Sequence, residues 1–565
     1  MSSSNGGSSI DQGRVNPNDE RWEGTDGSGR DTSGVSQDES FTVFSRKDAA
    51  AREKAAALRK DGKIELKEED AWRELGFCYP TRKKWTILTV IFLVQTSMNL
   101  NTSLYSNGLV GISNEFGVSM QAARAGAAIF LVTYAFGCEL WAPWSEEFGR
   151  KPILQLSLGL VNIWGVLVAM APNFTTLLVG RALGGLSSAG GSVTLGMIAD
   201  MFEPDEQQYA VAYIVFSSVG GSILGPIIGG FIEANLHWRW TIWIQLMFGG
   251  FVQILHLVCV PETRTTILLD RIAKIRRRCG LAPNLYGPNE LEPFSKRFAF
   301  KELIWTWIRP FRMFLTEPIV LTLSLLSGFS DALIFMQIQS FALVYQQWGF
   351  STVQLGLSFT PIGVGYIIAW LSFIPAIKRN QKKQLAKPGD EHAQYESRLW
   401  WLLFTAPCLP IGLIIFAWTS GGPPMHWIWT MYMISAYGPY AASATGGNGW
   451  ARDFLAGALT VPAIPFYTNI GGKLHLEIAG TILFGISLVL VAVVYAIYYY
   501  GPTLRKRSPF AQSLASSVTS EYHGQPRRRV SRLPDEEIGF QGYQHRHAEH
   551  AHHGGHGHGG SPRRT

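Results

Sequence analysis

Charge is scarce in this sequence. Only 16% of its 565 residues are Asp, Glu, Lys or Arg, where a soluble globular chain carries about a quarter. Those present gather at the two ends and in a few short blocks. The five cysteines (Cys78, Cys138, Cys259, Cys279 and Cys408) show no paired spacing, which argues against a disulfide framework and against a structural zinc site. No GxxxxGK[ST] segment occurs, so an ATP-driven pump is not expected. A cleavable signal peptide pattern is missing as well. The opening residues through Ser40 are polar and rich in Ser, Gly and Asp, and the first apolar stretch is expected to insert as a signal-anchor.

What the chain has instead is apolar length. Stretches of about 20 residues, each enough to cross about 30 Å of hydrocarbon, recur near 85–105, 124–143, 152–171, 176–200, 209–233 and 239–260. After a polar stretch, six more lie near 316–346, 352–377, 399–419, 426–446, 454–472 and 477–500. The net charge of +7 is no sign of a nucleic-acid partner, because the basic residues flank these stretches. Arg82-Lys83-Lys84, Arg150-Lys151, the 264–312 block, Lys378 to Arg398 and Arg505-Lys506-Arg507 all fall on one side, and the opposite loops hold little beyond Arg239 and Lys473. That asymmetry places both termini in the cytosol.

The expected organisation is an all-α polytopic membrane protein. A largely disordered tail covers 1–84, with a short charged helix between Arg46 and Asp70. A six-helix half follows at 85–260, then a cytosolic loop at 261–315, a second six-helix half at 316–500, and a disordered His-rich tail at 501–565. From Ile267 to Arg278 an amphipathic basic helix is expected to lie along the inner membrane surface. The tail histidines read as a solvated tract, and neither a metal nor a cofactor is expected.

Gly221-Ser222-Ile223-Leu224-Gly225-Pro226-Ile227-Ile228-Gly229-Gly230 lies inside the fifth span. Glycines four apart let a neighbouring helix approach closely, and Pro226 favours a bend. Tight packing alone would account for the pattern, yet the segment resembles the antiporter motif of drug:proton antiporters in the major facilitator superfamily. Ala142-Pro143-Trp144-Ser145-Glu146-Glu147-Phe148-Gly149-Arg150-Lys151-Pro152 is similar to that superfamily's loop motif between spans two and three, departing from it at Ala142, Trp144 and Lys151. The resemblance implies that Glu146, Gly149, Arg150 and Lys151 gate between inward- and outward-facing states. Leu178 to Gly185 is similar to the family's RxxxG motif and assigns Arg181 to proton coupling. A span arginine is costly and faces a cavity or partner, unless it snorkels. Trp238-Arg239-Trp240 and Pro261-Glu262-Thr263 also match fungal members. The fold implied is the major facilitator fold of two six-helix halves.

Two acids lie within spans, Glu139 and Asp331. Such groups can exchange protons or attract a cationic substrate, although Glu139 could simply pair with a loop arginine. Tyr105, Tyr134, Phe335, Tyr345, Tyr437 and Tyr440 are candidate cavity aromatics, with packing the plainer role. Asn173-Phe174-Thr175 is a glycosylation sequon in a loop placed outside. Together these readings describe a monomeric, non-enzymatic, proton-coupled exporter of drugs, toxins, secondary metabolites or polyamines in the lipid bilayer. The plasma membrane is the expected location and the vacuolar membrane the alternative. The rivals are a sugar or organic-acid porter of the same fold and a non-transporting membrane sensor.

Overall fold

The structure, a computed structural model, describes residues 62–188, 190–291, 318–386, 400–420 and 449–507, with a few positions between 304 and 316. Among the described residues nine helices are long and apolar enough to cross a membrane. Hydrocarbon offers no hydrogen-bond partners, so each crossing segment must satisfy its own backbone, which a helix does. Six of them run Thr81–Asn107, Met120–Phe148, Arg150–Ala169, Phe174–Met201, Glu206–Asn235 and Arg239–Cys259, each on an apolar stretch expected from sequence.

Local chemistry sets their ends. Ser119 caps the second span by accepting from the Ala122 amide at 3.1 Å. Gly149 turns the chain at φ 104, a conformation open to glycine and costly for other residues. Beyond these nine, helix Pro318–Gln346 lies where the seventh span is expected. The eighth and ninth cover Thr352–Lys383 and Trp400–Thr419, and the last is His475–Arg507. The stretch expected at 454–472 is two helices, Gly449–Thr460 and Ala463–Asn469. Pro462 stands between them and brings no amide hydrogen to bridge the break. The stretch at 426–446 lies outside the described residues, as does the tail from 508.

The fifth span packs on the first through its glycines. A Cβ on Gly221 would come within 2.6 Å of the Thr96 carbonyl, one on Gly225 within 2.0 Å of Ser103 Oγ, and one on Gly229 within 2.4 Å of the Asn107 side chain. Gly230 faces the other way, 2.9 Å from Thr352 O by the same measure. Three glycines thus seat the first span, while the fourth meets the second half.

On the basic side the structure departs from expectation. Of the short charged helix expected between Arg46 and Asp70, residues 46–61 lie outside the described residues. Among the rest, Ile64–Glu65 pairs in parallel with Leu285–Tyr286, and only Glu68–Ala71 is helical. The basic helix spans Thr265–Arg278, but Leu269, Ile272 and Ala273 are covered by Leu66, Ala71 and Leu75 rather than left for lipid. Arg276 holds Glu74 at 2.8 Å, and Arg277 holds Glu290 at 2.6 Å. Protein covers these three residues, while Ile275 on the same helix is exposed.

Candidate functional site

The loop between spans two and three is a buried polar lock. Arg150 is 5% exposed. It donates from Nε to Asp200 Oδ2 at 3.0 Å and from Nη1 to Ser145 Oγ at 2.6 Å. Glu146 is exposed and stands 3.8 Å away, a weaker partner. The Arg150 and Lys151 amides both donate to the Glu262 carboxylate, at 2.9 and 3.2 Å. Arg264 reaches Asp200 Oδ1 at 3.5 Å. Gly149 is required here because a Cβ would meet Glu262 Oε2 at 2.4 Å. Asp200 and Glu262 are partners of this loop that sequence reading did not single out as site residues. Each lies far along the chain from the loop, and Glu262 was visible only within Pro261-Glu262-Thr263.

Arg181 does not snorkel. At 2% exposure it donates from Nε to Gly126 O at 3.1 Å and from Nη1 to Asn101 Oδ1 at 2.7 Å. The guanidinium is sandwiched between the Tyr105 and Phe130 rings, at 4.4 and 4.3 Å. No carboxylate pairs with it among the described residues, and Nη2 has no hydrogen-bond partner. Ring faces and oriented carbonyls are the groups that meet its charge.

Glu139 is half-buried in the second span and makes no ion pair among the described residues. The alternative pairing with a loop arginine is not what the structure shows, since Arg150 turns to Asp200. Glu139 instead lies within electrostatic range of Asp453, a buried acid of the second half. Phe136, one turn earlier, meets Phe454 edge-on at 6.2 Å. Asp331 is in helix Pro318–Gln346, and its side chain lies outside the described residues.

Of the candidate aromatics, Tyr105 donates to Ala123 O at 3.0 Å and covers Arg181. Tyr134 is buried beside Gln95, Phe335 packs with Leu131 and Ala456, and Tyr345 stacks on Phe350. These four are packing residues in this conformation. Tyr437 and Tyr440 lie outside the described residues. Asn173 is exposed, and its Oδ1 caps the fourth span by accepting from the Thr176 amide at 2.8 Å.

The halves also meet opposite the basic side. Arg124 Nε donates to Gln339 Oε1 at 3.3 Å, and Gln121 bonds the Val461 carbonyl. Near it, Glu115 pairs with Arg239 at 2.6 Å. Burial would raise the Glu115 pKa. Hydrogen bonds from Arg239 and Trp238, with the charges of Arg239 and His237, outweigh that and hold it below the ordinary carboxylate value.

A glycine-lined first–fifth contact, a locked loop after span two and a buried span-four arginine now stand in one helical bundle. The family model described as Major Facilitator Superfamily matches residues 91–455, more than half of the chain. The chain belongs to the major facilitator superfamily. It is 30% identical to the MFS-type transporter acdC of Aspergillus candidus, over 77% of this chain and 88% of that one. It is 31% identical to the MFS-type efflux pump MFS2 of Trichophyton rubrum, over 77% of this chain and 75% of the relative. The ascochitine biosynthesis cluster MFS transporter of Didymella fabae is 27% identical over 77% of this chain and 87% of its own. Among solved structures, the proton:xylose symporter XylE bound to 6-bromo-6-deoxy-D-glucose aligns with a TM-score of 0.50 at 15% identity, over 74% of this chain and 97% of that chain. That likeness is one of fold. This major facilitator is therefore a multi-pass membrane transporter.

Proposed function

We propose that this major facilitator exports small amphipathic organic compounds, such as secondary metabolites, toxins, drugs or polyamines, in exchange for protons. The observation that carries the reading is the fifth span. Its antiporter-like glycines seat the first span on one face and reach Gly356 of the second half through Gly230 and the Pro226 carbonyl. A helix that packs without side-chain bulk on one neighbour and meets the other half with the next turn is suited to slide as the halves rock. Relatives named as an efflux pump and as a biosynthesis-cluster transporter support the outward direction.

Proton exchange draws on Glu139, with Asp453 of the second half within electrostatic range, on Asp331 in span seven, and on Arg181 between its rings. A carboxylate site that binds either a proton or a cationic cargo gives antiport by competition. The basic side is read as cytosolic, the membrane as the plasma membrane, the active unit as a monomer, and Asn173 as a glycosylation acceptor.

The test is transport by purified full-length protein in proteoliposomes under an imposed pH gradient. The panel would hold an organic cation, a polyamine, a phenolic acid and a hexose. The expected result is accumulation of an amphipathic or cationic member against its own gradient, abolished when a protonophore collapses the pH difference. Movement indifferent to the gradient would remove the coupling. Preferential hexose movement would favour the porter rival.

A further inference from the structure

The third and sixth spans present matching polar stripes that no part of the reading above uses. On the sixth, Gln245, Gly249, Gln253 and His256 follow one another at helical spacing, and on the third Gln155, Gly159 and Asn162 do the same. They interlock. Asn162 Nδ2 donates to Gln253 Oε1 at 2.8 Å, and Gln155 Nε2 donates to Gln253 O at 3.2 Å and meets His256 Nδ1. The glycines keep the seam open, since a Cβ on Gly249 would come within 2.5 Å of Asn162 Oδ1 and one on Gly159 within 3.2 Å of Gln253 Nε2.

Both ends of this column hold unmet hydrogen-bonding capacity. At the far end Arg181 Nη2 and Gln245 Oε1, a donor and an acceptor, have no partners. Both line one small cavity, together with Asn101, Phe130 and Asn162. A buried donor facing a buried acceptor across polar walls suits a water molecule, which completes both. At the basic end His256 is fully enclosed and its Nε2 has no partner. Lys151 of the third span is the charged group acting on the ring, its ammonium bound to Leu257 O at 3.0 Å. Lys84 of the first span lies over Phe202 instead, and Glu262 is committed to the Arg150 and Lys151 amides.

We propose that this column is a hydrated proton site of the amino-terminal half, with water in the Arg181 cavity and His256 as the group that takes up the proton. Gln155 donates to Nδ1, so the neutral ring carries its hydrogen on Nε2. A hydronium ion arriving at the column gives its proton to the Nδ1 lone pair as the Gln155 amide turns its oxygen toward it, leaving water and an imidazolium whose Nε2–H then has a solvent partner. The amides of Gln155, Asn162 and Gln253 orient water and are not themselves protonated. In the conformation seen here the ring is enclosed beside an ammonium, whose charge opposes a second positive charge. Opening the basic end wets it, so occupancy by the proton follows which side is open. The inference rests on the proton-exchange reading but concerns a group separate from the carboxyls.

The experiment is a proton titration of detergent-solubilised full-length protein with a pH indicator, between about pH 5 and 8, where imidazoles titrate. His256→Asn keeps an acceptor for Gln155 and removes the titrating ring, and is expected to bind about one proton fewer per molecule. Gln245→Leu leaves His256 in place and breaks the wet end, so proton uptake should slow about tenfold. Wild-type stoichiometry in His256→Asn, or wild-type kinetics in Gln245→Leu, would overturn the proposal. In proteoliposomes with rhodamine 6G as cargo, wild-type movement indifferent to the pH gradient would remove the coupling reading while the one-proton difference still stood. Gradient-driven export with unchanged titration in His256→Asn would remove this site alone.

Discussion

Among the described residues, the two halves of this transporter are held together by different means. In the first half, spans are cross-linked by directional polar contacts. Ser103 donates to the Gly221 carbonyl at 3.1 Å, Ser157 to Ser187 O at 2.7 Å, Asn162 to Gln253, and Arg181 to the first and second spans at once. In the second half the described core is oily. Phe341 is fully buried among Tyr345, Phe359 and Phe416, with ring centroids 5.4, 4.7 and 5.6 Å away. Its cross-span hydrogen bonds among the described residues include Tyr495 to Leu403 O and Tyr467 with Ser340. Lipid supplies no hydrophobic drive between helices, so a polar bond fixes register where apolar contact only fills space. Among the described residues the first half is thus held in register by polar contacts and the second is filled by apolar ones.

The lock after span two should break that contrast most severely. Asp200→Ala leaves the Arg150 guanidinium buried without its main carboxylate, and removing one partner of such a pair costs roughly 3–5 kcal/mol. The apparent melting temperature in detergent should fall by many degrees and export should be lost. Asp200→Asn, which keeps the shape and one acceptor, should fall less. If the two variants melt alike and close to wild type, the lock is not a stability element.

Arg181→Ala comes next. It orphans Asn101 Oδ1 and Gly126 O, each at about 1–3 kcal/mol, and export should drop roughly a hundredfold while the protein is still expressed. Arg181→Lys should recover little, because an ammonium cannot lie flat between two rings and bond two helices at once. Export near the wild-type rate in either variant would move Arg181 from coupling to packing.

These two positions were unequally visible before the structure. Arg181 stood out because charge is rare in a span, and Arg150 because it sits in a recognisable loop. The glycines of span five were legible because their spacing is itself the packing geometry. Asp200 and Glu262 were not, because their partner lies 50 and 112 residues away in the chain and nothing local reports such a distance. His256 was passed over because one histidine in an apolar run has no pattern, and its stripe emerges only against the third span. The Ile64–Glu65 pairing was invisible because two residues show no periodicity.

The second half should be forgiving. Phe341→Leu conserves much of the buried volume and breaks no hydrogen bond, so it is expected to cost about 1.5 kcal/mol or less. Its effect should appear as altered preference across the cargo panel more than as lost transport. A fall in stability as large as that of Asp200→Ala would erase the distinction between the halves.

The smallest effect is expected where polar contact meets water. The Glu115–Arg239 pair is part-exposed, at 32% and 25%, so solvent screening limits it to about 1 kcal/mol. Because the folded pKa of Glu115 lies below its ordinary 4.5, the pair's contribution is complete above that value and is lost as pH falls through the folded pKa. Melting temperature measured from neutral pH downward should therefore hold steady and then decline below about pH 4.5. In Glu115→Gln the neutral-pH value should start slightly lower and that added decline should shrink, so that the curves converge in acid. A variant whose curve stays parallel to wild type through that range would show that the pair contributes no proton-linked stability, and that the first half's polar frame stops at the membrane edge.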